Sequence, residues 1–305
     1  MDAPSKFTHK KMVGIIPLDG FQDNWQLPYA PYLAPIADGI TLVENAILHC
    51  AFVGCKQIFI VCEERSVRML RKHLGEWVED PAWWYRKTFT PNAYRLQIPI
   101  FYIRMTEKDK RQRGSAAWGI IHAARVANKM AANVSKWTMP SRFFVSFPWS
   151  GINFWEFKQH RLATATTRNF YFTHKGESAW TNEYIPFAFN QDDLRAMKRN
   201  FAAKTTLTYK RIAEFIPNDR SWFERLPVEE QHSGRRFTIQ QLLEPVNNDS
   251  YKSLEINKYY NVYTWEGLRE AISDFQFRRP KRRYLQSEQG SRILQRIGVN
   301  TDEQQ

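Results

Sequence analysis

The sequence predicts an α/β protein built on a mainly parallel sheet flanked by helices. Apolar runs at 13–17, 56–62, 98–104 and 142–147 have the length and composition of strands buried on both faces. Segments of helical periodicity at 41–54 and 115–132 fall between them, so strand and helix alternate and the connections favour parallel pairing. A chain of 305 residues, 43% hydrophobic and 15% aromatic, supplies a sizeable core for such a sheet.

Strand, loop, helix and second strand come within Val13 to Val61. The first apolar run breaks at Asp19-Gly20 into a loop holding Pro28, Pro31 and Pro35. Two Asp beside a glycine, Asp19 and Asp23, read as turn residues, with a bridging divalent metal as the alternative. Thr41 is the expected N-cap of the next helix, with Glu44 completing a capping box, Leu42, Ala46, Ile47 and Phe52 near helical spacing, and Gly54 as the stop. Cys50, Cys55 and Cys62 all lie in this unit, and an odd count on helix and strand predicts buried thiols rather than disulfides or a zinc site.

Residues 63–78 read as one amphipathic helix, with Val67, Leu70 and Leu74 on its apolar face and Arg65, Arg68, Arg71 and Lys72 on solvated ones. Residues 80–95 form an aromatic-rich loop whose Trp83, Trp84 and Tyr85 staple it to the core or stack on a base. The strand at 98–104 then runs into a basic loop, Lys108, Lys110, Arg111 and Arg113, followed by Gly114-Ser115 and a helix with Ala116, Ile120, Ala123 and Val126 on one face. Backbone N–H groups at a helix start, a small residue and neighbouring cations make an anion site; a Ser-capped helix after a solvated loop is the alternative.

Residues 141–155 read as a buried strand and a turn. Asn169 to Thr173 and Tyr184 to Phe189 are two more strands, the second leading into a helix capped by Asn190 or Asp192, and Tyr259 to Glu266 is a strand before a Thr-capped helix. The seven His are scattered, and neither a Ser-His-Asp set nor a metal-ligand spacing emerges, so no catalytic residue, metal ligand or cofactor is assigned.

A formal net charge of +13 favours polyanionic partners: a nucleotide, nucleic acid or an acidic protein surface. From Arg278 the composition shifts. Arg278, Arg279, Lys281, Arg282 and Arg283 cluster around Pro280 as the candidate nucleic-acid-binding segment, a plain basic surface tail being the alternative. The expected organisation is an α/β domain over 1–277 and a basic tail over 278–305. No run approaches the length of a membrane span and the polar start MDAPSKFTHKK lacks an apolar signal core, so a soluble, cytoplasmic protein without membrane contact is expected.

Gly20, Leu27, Pro28, Leu33, Pro35 and Ile36 resemble, without a gap, the signature loop of the sugar-phosphate nucleotidyltransferases, whose fold is a GT-A-type Rossmann-like sheet. Gly114, Ser115 and Ala116 resemble the helix start that lies beneath the nucleoside base in that family, and Tyr259, Val262, Thr264 and Glu266 fit its sheet-closing pattern. The resemblance covers roughly residues 12 to 275 in the right order. Together with the anion site read from the residues themselves, it implies a nucleotide or nucleotide-sugar site at Gly20, Lys108, Lys110, Arg111, Arg113, Gly114 and Ser115.

The charged positions of the family pattern are changed. Asn24 stands for its arginine and Pro31 for its lysine; Pro148, Trp149 and Ser150 occupy the strand end where it has a metal-binding Asp, and Asn261 replaces its second Asp. Charge clamping supplies most of the catalysis in phosphoryl-type transfer, so the resemblance implies a degenerate member that keeps its nucleotide pocket. A transferase with relocated carboxylates at Asp19, Asp23 or Asp109 is one alternative, and a nucleic-acid-binding or assembly protein on the same scaffold is another.

Overall fold

Every residue of β1 (Met12–Pro17) is buried, as a run with no polar alternation requires. The computed structural model describes residues 11–19, 25, 27–37, 39–81, 97–135, 139–167, 169–181, 184–206, 209–211, 223–225, 227, 231 and 234–275. After β1 come a ribbon of β2 (Pro35–Ala37) and β3 (Ile40–Thr41), then α1 (Leu42–Val53), β4 (Gln57–Glu63), α2 (Glu64–Leu74), β5 (Trp77–Glu79) and β6 (Gln97–Met105). Helices α3 (Glu107–Arg113) and α4 (Ala116–Val134) lead to β7 (Arg142–Val145), β8 (Ser150–Gly151), α5 (Glu156–Thr166), β9 (Phe170–Thr173) and β10 (Phe187–Asn190). The described chain closes with α6 (Gln191–Thr205), a ribbon of β11 (Tyr209–Arg211) and β12 (Phe223–Arg225), α7 (Ile239–Leu243), β13 (Lys252–Glu255), β14 (Tyr260–Asn261) and α8 (Trp265–Asp274).

One eight-stranded sheet runs in the order β13-β9-β10-β7-β1-β4-β6-β5. Its centre, β7-β1-β4-β6, is parallel throughout, which bears out the mainly parallel sheet. β10 enters antiparallel between β7 and β9, and β5 closes the other edge antiparallel to β6. Helices α1 and α4 both pack on β1, α1 together with α5 and α4 together with α6 and α7. No helix among the described residues is long and apolar enough to cross a membrane.

Local chemistry explains the elements. Thr41 and Glu44 form the reciprocal cap of α1, with the Thr41 N–H donating to Glu44 Oε2 at 2.8 Å, and Gly54 ends the helix at φ 101°. Helix α1 approaches β1 so closely that a Cβ on Gly14 would lie 2.8 Å from Cys50 Sγ. Cys50, Cys55 and Cys62 are buried thiols, and burial pushes Cys62 up to about 12.

Two expectations need correction. The helix read over 63–78 stops at Gly75, whose φ of 84° breaks it, and Trp77–Glu79 returns as an edge strand. The basic stretch after β6 is no loop: Thr106 accepts the N–H of Asp109 and nucleates α3, so Lys108, Lys110, Arg111 and Arg113 project from a helical turn.

Candidate functional site

The strand order reverses at β1, because the chain lays β4 and β6 on one side of it and returns to place β7 on the other. Loops leaving the carboxyl ends of these strands diverge there, and such a switch point is where open α/β sheets form ligand crevices. A cleft of about 650 Å³ occupies the place, lined by residues that end or follow β1 (Leu18, Asp19), β4 (Glu63, Arg65, Ser66), β6 (Lys110, Gly114) and β7 (Trp149). Leu27 to Tyr32 form its lip, and Arg235 reaches it from far along the chain.

Most of the cleft's charged side chains are already engaged. Glu63 binds both Lys110 and Arg65; burial works against its ionisation, but these two cations hold its carboxyl below the usual range. Arg235 Nε donates to the backbone carbonyl of Arg111 and anchors the segment after Gly234 onto α3. Gly234 permits this contact, since a Cβ there would lie 2.7 Å from the Phe201 ring and 3.3 Å from Arg113 Cα. Asp19 differs from the other charged groups: its Oδ2 is buried and has no hydrogen-bond partner among the described residues. Burial, then the charge of Glu63, push Asp19 up to about 7, while Lys110 pulls it down.

Of the residues expected to hold an anion, Lys110 and Gly114 line the cleft and Ser115 caps the adjoining helix, its Oγ accepting the Trp118 N–H at 3.3 Å. Gly114 cannot carry a side chain, because its Cβ would meet the Lys110 carbonyl at 2.6 Å. Arg113 is spent elsewhere, its guanidinium 4.5 Å above the Trp118 ring. Lys108 and Arg111 are exposed and do not line the cleft. Gly20, Asp23, Asn24, Trp83, Trp84, Tyr85 and the cluster Arg278, Arg279, Lys281, Arg282 and Arg283 lie outside the described residues.

Beside the cleft, Trp149 meets Trp25 edge-on at 6.4 Å, and Trp25 meets Trp265 at 5.9 Å. This aromatic wall leads to the β8–β14 ribbon, in which Ser150 faces Asn261 directly. The two places where the family resemblance puts metal-binding carboxylates are therefore neighbours in space. Their donor sets do not fit a magnesium ion, which wants charged oxygens. Ser150 offers a neutral buried hydroxyl, and the Asn261 carboxamide oxygen already accepts the Tyr263 N–H at 3.1 Å. Among the described residues no group of three or more His, Cys, Asp or Glu stands ready to hold a metal.

Sequence reasoning missed Glu63, Arg65, Ser66 and Arg235 as cleft residues. The signal for Arg65 and Ser66 was present, since both open a helix at a strand's carboxyl end; Arg235 follows no motif.

No protein-family description matches the chain, and no curated protein matches it. Its fold has counterparts among solved structures. A Bacillus anthracis protein assigned as a glucose-1-phosphate thymidylyltransferase, solved in complex with sucrose, superposes with a TM-score of 0.50 at 10% identity, over 87% of this chain and 97% of that one. A UTP-bound UGPase from Acinetobacter baumannii superposes with a TM-score of 0.50 at 7% identity, over 86% of this chain and 92% of that one. At these identities the likeness is one of fold: the chain has the α/β fold of the sugar-phosphate nucleotidyltransferases.

Proposed function

We propose that the cleft binds a nucleotide or nucleotide sugar and that the chain is a degenerate nucleotidyltransferase in which metal-dependent transfer is lost. The observation that carries this reading is that Ser150, in the Pro148–Ser150 turn, lies opposite Asn261 in the β8–β14 ribbon, so the two places where the resemblance calls for carboxylates adjoin and hold neutral residues. Binding needs less than transfer does. The start of α4 at Ser115 offers backbone donors beside Gly114, and Lys110, Arg65 and Arg235 supply positive potential from three separate segments. Pro31, on the lip, adds shape but no charge.

The test is equilibrium binding of the four nucleoside triphosphates alongside pyrophosphate release with magnesium and sugar phosphates. The expected outcome is binding with turnover lower by several orders of magnitude than a transferase of this fold would show, since each missing charge-stabilising group costs about 10²-fold or more. Robust magnesium-dependent formation of a nucleotide sugar would refute the loss of transfer. Lack of binding by every nucleotide would refute the pocket.

A second reading draws on the outer face of α2. Arg68, Arg71 and Lys72 share a shallow groove with Arg104 of β6; Glu64 pairs with Arg104 at 3.2 Å and Glu76 with Arg71 at 3.8 Å, and the cations of the groove still outnumber its carboxylates, which suits a nucleic-acid backbone or an acidic protein. Replacing Arg68 and Lys72 by Ala should then flatten the dependence of log K on log salt by about 0.9 per duplex phosphate contact removed.

A further inference from the structure

Glu63 ends β4 and stands at the N-cap of α2, yet its side chain makes no cap bond to that helix. It turns instead to the cations of the cleft. Its Oε2 accepts from Arg65 Nε and its Oε1 from Lys110 Nζ, so a single anion bridges one cation of α2 and one of α3. The backbone donors that open α2 are left without a side-chain acceptor, beside Arg65 and Ser66, which both line the cleft. Cations together with helix-start N–H groups are what a phosphate binds, and the Glu63 carboxylate already holds the cations.

A ligand that takes over Lys110 and Arg65 has to displace this carboxylate, and its charge decides whether the exchange is favourable. A phosphate diester carries one negative charge, as the carboxylate does, so the exchange swaps one monoanion for another. A phosphate monoester carries about −1.5 to −2 at pH 7 and has three free oxygens to bridge the same two cations. The cations can follow a new partner, because Arg65 and Lys110 leave 78% and 40% of their side-chain surface exposed. Arg235 is anchored to the Arg111 carbonyl and not to Glu63, so it adds positive potential without entering the exchange.

We propose that Glu63 is the specificity-determining residue of the cleft, an internal competitor for Lys110 and Arg65 that admits phosphate monoesters and turns away diesters. The ligand carries a terminal phosphate, on a nucleotide or on a sugar. This rests on the reading that a phosphate-bearing ligand enters the cleft, and it narrows that reading, since a nucleotide sugar has only diester phosphates.

The experiment is calorimetry at pH 8 without magnesium, on the full chain and on Glu63→Gln, Lys110→Met and the double variant. The ligands are the four nucleoside 5′-monophosphates, their methyl phosphate esters, glucose 1-phosphate and inorganic phosphate. The parent should bind a monoester about tenfold more tightly than its methyl ester. Glu63→Gln, of nearly the same size, should tighten both by about tenfold, and adding Lys110→Met should remove most of that gain. Glu64→Gln is the control: it deletes the same charge on the α2 groove, where Glu64 pairs with Arg104, and should leave binding unchanged. Equal affinity for monoester and methyl ester in the parent overturns the proposal, and that comparison needs no variant to fold. A Glu63→Gln protein that binds no more tightly than the parent, or a gain matched by Glu64→Gln, overturns it as well. If glucose 1-phosphate or inorganic phosphate binds and responds to Glu63→Gln while no nucleotide does, the proposal stands and the nucleotide reading falls; nucleotide binding indifferent to Glu63 gives the reverse. If nothing binds to either protein, both fall.

Discussion

His49 locks onto Ser146. In the buried interior His49 Nδ1 lies 2.9 Å from the Ser146 hydroxyl, and Nε2 lies 2.7 Å from the Ile152 carbonyl. A carbonyl can only accept, so Nε2 carries the proton; burial pushes the imidazole down to about 3 and keeps it neutral, which leaves Nδ1 to accept from Ser146. Helix α1 thereby holds both ends of the segment that carries Trp149 and Ser150.

This pair predicts an acid-side loss of stability. The imidazole binds a proton near 6.5 when unfolded and only near 3 when folded, so the unfolded state holds the extra proton between those values. Stability should therefore fall as pH drops through that window, and His49→Gln should make the fall shallower. Replacing His49 by Leu should cost about 2 kcal/mol at pH 7, measured by urea unfolding, for the lost hydrogen bonds. A pH profile identical in parent and His49→Gln would contradict a buried neutral imidazole.

Asp19 has the opposite sign. Its folded value near 7 lies above the unfolded 3.8, so the folded state keeps a proton that the unfolded state has released, and stability declines as pH rises from about 4 to about 7. Asp19→Asn should therefore raise the unfolding free energy at pH 8 and change it little below pH 4. Destabilisation at pH 8 would show that the carboxylate has a partner.

Gly151→Ala should open the β8–β14 ribbon. The new methyl would lie 2.5 Å from Val262 Cγ2 and 2.6 Å from the Tyr260 carbonyl, distances that force the strands apart. A loss of about 1–3 kcal/mol is expected by chemical unfolding, with tryptophan fluorescence altered because the Trp149 carbonyl accepts the Val262 N–H at 3.1 Å and its ring meets Trp25. Unchanged stability would mean that the ribbon yields freely.

Arg161→Met should destabilise by about 2–4 kcal/mol, read by thermal or urea unfolding. The guanidinium joins the buried Asp80 at 2.5 Å and also donates to the Ala51 and Phe52 carbonyls at 3.3 Å, capping the end of α1. Lys56, 3.7 Å from Asp80, is too exposed to compensate fully.

The sheet centre was legible because each of its strands is a short apolar run bounded by turn residues, and α1 and α4 announced themselves through Thr41, Ser115 and their periodic faces. What stayed hidden had no periodicity to read. Helix α3 contains a single buried side chain, Gln112, and owes its form to the Thr106 cap. Strands β8 and β14 are two residues each, too short for alternation to register. At the cleft, Gly114 could be found from its place before a capped helix, whereas Arg235 depends on a tertiary approach that no local pattern encodes. Lys110 and Arg113 were visible as cations, but not that Glu63 and Trp118 engage them.

β1 is bordered on one side by Gln57 to Val61 and on the other by Arg142 to Val145. During synthesis the first border is available almost at once, while the second arrives only after nearly half the chain has been made. Until then one edge of this wholly buried strand is open, and any neighbouring extended segment can occupy it. A truncation before Arg142 would leave that edge permanently uncovered, so fragments of this protein ending in α4 should aggregate rather than fold, however complete their first strand–helix–strand unit.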